Sequence, residues 1–167
     1  LINDFYPGID LEMIVFEGKL KTNFILNNHL SFNNGYLVMK QQFEFSSGLS
    51  FDARETTKNE DDRFSGDLMI VDHQQEYFRI HSSVAYDAAL QPRFAHLENE
   101  MLPGNVLLSY IPMSWLNDAR TLYPVVIGPL VSTTGSLPQA SITGSQYSAV
   151  CWTGGCTYNL SFLSPAN

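Results

Sequence analysis

Along most of this chain the side chains change character at every second residue, and that period fixes the class of fold. Leu11, Met13 and Val15 share one face. After Glu17-Gly18, Leu20, Thr22, Phe24 and Leu26 share a face, with Lys19, Lys21 and Asn23 on the other. Two alternating runs flanking a two-residue turn predict a β-hairpin. Asn33-Asn34-Gly35 predicts a second turn, leading into the β-forming run from Tyr36 to Phe45. Further strands are expected at 67–71, 77–81, 84–90, 106–111 and 123–127. Pro112 ends one of them, because proline donates nothing to a ladder. Residues 52–65 read as a polar loop. Ser114 to Arg120 is the best short helix, with Ser114 as its N-cap and Arg120 at its favourable C-terminal end.

Charge narrows the class further. Only 16% of the 167 residues are charged and 13% are aromatic, against about 25% charged in soluble domains. Disorder needs the opposite bias, and exposed bundles of charged helices need more charge. Nine Lys+Arg are scattered through a chain of net charge -8. No basic stripe for nucleic acid exists. No apolar run reaches the roughly 18 residues of a membrane span. A chain of this length buries about 70% of its unfolded surface, so it needs neither metal nor disulfide to fold.

Composition shifts at Gly128. From Pro129 to Ser148 the chain is rich in Ser, Thr, Gly and Pro and carries no charge. Alternation then resumes, with Tyr158, Leu160 and Phe162 on one face. These features predict an antiparallel all-β sandwich with one short helix over 1–129. Residues 130–167 would be a linker and the first hairpin of a second β-domain. The alternative is that this tail completes the first sandwich as edge strands. Leu1 follows no initiator Met or basic leader, and Asn167 ends a Pro-Ala-Asn stretch, so both ends read as cuts in a longer polypeptide.

Cys151 and Cys156, in Cys-Trp-Thr-Gly-Gly-Cys, fit a local disulfide across a hairpin; two free thiols are the alternative. A zinc site would need two more ligands, and His29, His73, His81 and His96 lack ligand spacing. A disulfide implies an oxidising, extracytoplasmic compartment.

No catalytic motif stands out. No nucleophile elbow or phosphate-cradling loop occurs. The acidic run Asn59-Glu60-Asp61-Asp62 lacks the bidentate Glu of a calcium loop, and Arg63 occupies a ligand position. Asp72-His73 with Glu76 lies between two strands, where polar turn residues belong. Asp4 and Asp10 flank a Pro-Gly turn, where Asp10 is expected to bind backbone amides. Trp115 reads as a core plug. Trp152, Tyr147 and Tyr158 remain as candidate contacts for a ligand or partner, each with an apolar body and a polar tip.

Two segments resemble a known group of proteins. Phe5-Tyr-Pro-Gly-Ile-Asp-Leu11, with the strand beginning Leu20-Lys-Thr-Asn-Phe24, is similar to the opening of β-rich modules in large secreted bacterial surface proteins. Tyr110 to Pro129, with Trp115-Leu116, Asp118-Ala119 and Tyr123-Pro-Val-Val-Ile127, resembles their closing element, except that Gly128 stands where the pattern usually has Asp. The resemblance implies gliding-adhesin-like surface proteins of the Bacteroidetes type, exported through the type IX route, and a module of a mosaic protein rather than a chemistry. The resulting expectation is a noncatalytic structural or interaction module, extracellular or on the cell surface. It would need no cofactor or metal and would meet neighbouring modules, surface proteins or glycan. The rivals are a lectin-like domain using Trp152, Tyr147 and Tyr158, and a hydrolase whose Asp10, Glu12 or His73 converge in space.

Overall fold

The computed structural model describes residues 1–16, 19–30, 35–45, 48–73, 75–128, 130–133, 150–152 and 155–162, with backbone alone at 15, 16, 130, 131, 133, 150–152 and 155–162. The strands begin with β1 (Ile2–Tyr6), β2 (Ile9–Phe16), β3 (Lys19–Leu26), β4 (Tyr36–Phe45), β5 (Ser50–Asp52) and β6 (Thr56–Lys58). Next come β7 (Phe64–Gly66), β8 (Leu68–Asp72), β9 (Gln75–Ile80), β10 (Val84–Tyr86), β11 (Phe94–His96) and β12 (Glu98–Leu102). The chain continues through β13 (Val106–Pro112), helix α1 (Met113–Leu116), β14 (Val125–Gly128), β15 (Leu130–Thr133), β16 (Val150–Trp152) and β17 (Gly155–Phe162). The described residues form an all-β sandwich with one short helix.

Sheet A runs β11-β10-β14-β3-β15-β9-β8-β5, with β2 also paired to β3 and β1 paired to β2. Sheet B runs β16-β17-β4-β13-β12-β7-β6. The predicted first hairpin is β2–β3, in register from Ile9↔Leu26 to Phe16↔Lys19. Its turn residues, Glu17 and Gly18, lie outside the described residues.

Period two becomes packing. Leu11, Leu20, Phe24 and Leu26 from β2 and β3, with Phe78 and Ile80 from β9, project from sheet A into the core. Met39 and Phe43 of β4 and Leu107 and Ile111 of β13 meet them from sheet B. Fully burying each such side chain contributes roughly 1.5–3 kcal/mol. The intervening residues, Lys19, Lys21, Arg79 and Tyr110 among them, therefore lie on the outer faces.

Three local expectations are corrected. The helix is a single turn, Met113–Leu116, whose N-cap is Pro112 with no side-chain cap, so Ser114 lies inside it. It stops early because only Met113 and Leu116 supply buried anchors. Arg120 lies beyond it and pairs with Asp118 at 2.7 Å. The strand expected over 84–90 ends at Tyr86, because Asp87 turns the chain by accepting the amides of Ala89 (3.3 Å) and Arg93 (2.9 Å). The polar stretch 52–65 contains β6 and the start of β7 rather than loop alone.

The described residues after 129 pair with the strands above. β15 sits between β3 and β9. The β16–β17 hairpin joins sheet B, with β17 parallel to β4 from Gly155↔Val38 to Phe162↔Phe45.

Candidate functional site

A cluster of chemically capable side chains lies on the outer face of sheet A, and the alternation of β9 puts it there. Phe78 and Ile80 are buried, so Arg79 and His81 point the other way. Asp67 immediately precedes β8, the neighbour of β9. β15 pairs Val131 with Ile80 and Ser132 with Arg79. Ser132 thereby shares the outer face with Arg79, between Arg79 and Lys19 of β3.

These placements assemble a relay. His81 Nε2 is 2.8 Å from Ser132 Oγ. His81 Nδ1 is 3.0 Å from Asp67 Oδ2. The other Asp67 oxygen accepts the Ser82 amide at 2.8 Å. Arg79 donates from Nε and Nη2 to Glu76 at 2.8 and 2.9 Å and from Nη1 to Glu55 at 2.6 Å. Its Nη1 also lies 3.5 Å from Asp67. Burial pushes the Asp67 carboxyl up, but the Ser82 amide, His81 and Arg79 together outweigh it and hold the carboxyl below its usual range. Glu76 first, then Glu55, raise Arg79 well above the ordinary guanidinium value.

The order hydroxyl, imidazole, carboxylate is that of a nucleophile, its base and the base's orienting group. In this geometry His81 can take a proton from Ser132. Acyl transfer also needs donors aimed at the developing oxyanion. Ser132 sits within a strand flanked on both sides, where backbone amides are held in ladders to β3 and β9. The adjacent guanidinium is committed to two glutamates. Among the described residues, the cluster has the proton relay of a hydrolase without preorganised oxyanion donors.

Other candidate residues are held separately. Asp10 accepts the Asp4 amide at 2.8 Å and the Asn27 side chain at 3.0 Å, as a turn-bracing aspartate should. Glu12 accepts from Asn23 at 2.7 Å. His73 is exposed in the β8–β9 turn, and β3, β15 and β9 stand between that turn and β2. Asp10, Glu12 and His73 are not brought together. In the acidic run, Asn59 Oδ1 accepts the amides of Asp61 and Arg63, each at 3.0 Å. Among the described residues no group of three His, Cys, Asp or Glu is placed to hold a metal. Trp115 packs against the core. Thr121 Oγ1 donates to its carbonyl at 2.7 Å.

Tyr147 lies outside the described residues. Trp152 pairs with Gly155, Gly155 with Val38, and Val38 with Tyr110, which puts Trp152 on one transverse row with Tyr110. Tyr158 stands beside Gln41, whose side chain is buried. The backbone of Cys151 is directly opposite that of Cys156.

Two surface features were not anticipated. On the outer face of sheet B, the Arg63 guanidinium lies 4.5 Å from the Tyr36 ring centre and 4.0 Å from that of Tyr110. The two rings meet edge to face at 5.7 Å. At one end of sheet A, Leu90 is fully exposed, Phe94 is 60% exposed and Leu122 is 52% exposed. Asp87 ties these loops together, accepting the Leu122 amide at 3.3 Å as well as that of Arg93. The isolated apolar letters at 90, 94 and 122 were the available signal, but their spacing follows no strand or helix period.

No known family model matches the chain, and no match was found among curated proteins or solved structures.

Proposed function

We propose that the chain is a noncatalytic interaction module of a secreted or surface-attached bacterial protein, working by contact with neighbouring modules or partner proteins. The observation that carries this reading is the apolar end of sheet A. Leu90, Phe94 and Leu122 are exposed on segments that a buried carboxylate holds together. Large apolar side chains exposed on segments that are tied to one another support a partner contact. The noncatalytic part draws support from the relay at Ser132, which lacks oxyanion donors among the described residues.

An extracytoplasmic setting is supported by Cys151 and Cys156. Directly opposed residues on antiparallel strands have Cα atoms about 4.5–5.5 Å apart, inside the roughly 4.4–6.8 Å window of a disulfide.

The test is proximity crosslinking in cells that make the natural protein, with a photoreactive residue at 94 or 122 and a control at Lys58 on the β6 edge. Specific adducts at 94 and 122 but not at 58 are expected. Equal labelling at all three positions removes the proposal.

A glycan-binding reading is favoured by the register that aligns Trp152 with Tyr110, beside Tyr36. A glycan array with Trp152→Ala and Tyr36→Ala controls decides it.

A further inference from the structure

Sheet A is continuous through one short strand. β15 alone stands between β3 and β9, pairing Leu130, Val131 and Ser132 with Lys21, Leu20 and Lys19 on one side. On the other side it pairs Val131, Ser132 and Thr133 with Ile80, Arg79 and Phe78. Without it, β3 and β9 would present two facing unpaired edges, each open to pairing with another strand. We propose that β15 is a releasable keystone strand and that the Ser132–His81–Asp67 relay is the clasp that holds it in place.

The asymmetry of its attachments supports this. The relay ties β15 by side chains to the β8–β9 half of the sheet: Ser132 to His81 at 2.8 Å, His81 to Asp67 at 3.0 Å, and Asp67 to the Ser82 amide at 2.8 Å. Asp67 also faces Arg79, and Arg79 holds Glu76 and Glu55. One hydroxyl thus couples the strand to groups on three other segments. At the opposite end the chain enters β15 from Gly128, whose Cα lies so close to β3 that a Cβ there would overlap the Thr22 carbonyl oxygen. β15 is therefore pinned at its start by backbone fit and within the strand by the clasp. Its four residues are too few for the ladder alone to make it as stable as β4–β13, which pair over seven positions. Local opening free energies follow such differences.

Hydrogen exchange on the folded chain tests the proposal, comparing the natural sequence with Ser132→Ala and with His81→Asn. The second variant keeps a donor near Asp67 but cannot reach Ser132. Both are expected to speed exchange at residues 130–133 and 78–80 by tenfold or more, with residues 106–112 unchanged. An equal rise across all segments, or no rise at 130–133, overturns it. If Ser132→Ala does not fold, His81→Asn gives the reading alone, and global unfolding of both variants also overturns it, because the clasp would then serve the whole fold.

Discussion

Gly128 lies against the carbonyl oxygen of Thr22, so closely that a Cβ at position 128 would overlap it. The obstacle is backbone, which cannot swing aside as a flexible side chain does. The β14–β3 pairing has no room for a side chain there.

Gly128→Ala is therefore expected to destabilise the fold by about 1–3 kcal/mol, the range for forced overpacking. Gly128→Asp should cost more. Urea denaturation of both variants checks this, and wild-type stability in Gly128→Ala would show that β14 and β3 are not packed as described.

Asp87 is buried, yet three backbone amides, those of Ala89, Arg93 and Leu122, converge on its carboxylate. Burial pushes its pKa up, but these amides and the Arg93 charge outweigh burial and hold it below the usual carboxylate range. A carboxyl with a lowered folded-state pKa contributes stability that is present above its unfolded value, about 3.9. That contribution is lost as pH falls through the folded value. Asp87→Ala should cost on the order of 3 kcal/mol at neutral pH, because amides are left unpaired in the interior. Asp87→Asn should flatten the acid limb of a stability-against-pH curve relative to the natural sequence.

Phe94 and Leu122 make a different prediction. Both are largely exposed, so Phe94→Ser and Leu122→Ser should change stability by less than about 0.5 kcal/mol. Partner adducts or co-purification should fall sharply. A large stability loss with unchanged partner contact would assign these residues to folding.

Cys151 and Cys156 predict a redox signature. Protein recovered from an oxidising compartment should show no alkylation until it is reduced, and then two added groups. Breaking so short a loop should lower stability by on the order of 2 kcal/mol. Two reactive thiols without reduction would refute the disulfide.

Two residues were legible from their chain neighbours, whereas the buried carboxylate of Asp87 was not. Asp10 braces a turn, and Trp115 packs on the core, as their neighbours in the chain predicted. A cap-forming Ser114 and a terminal Arg120 suggest a longer helix than forms, because the buried anchors of the helix end at Leu116. β6 and β7 were missed because a three-residue strand in polar sequence is too short to show alternation. His81 stood at the end of the strand expected over 77–81, and nothing beside it in the sequence indicated a hydroxyl partner.

By itself the sequence determined the class of fold. Strict alternation allows a strand to bury one face, and enough such strands in a weakly charged chain must stack as sheets. That information is local, carried by each residue and its second neighbours. The tertiary structure decided which strands became neighbours and therefore which outer faces acquired chemistry. Ser132 meets His81 across 51 positions of sequence, and the segments that carry Leu90, Phe94 and Leu122 are tied together by Asp87. Such juxtapositions arise from the pairing order of β3, β15 and β9 and from loops folded back on a buried carboxylate. A period of two records the face on which a side chain stands, but not the side chain across from it.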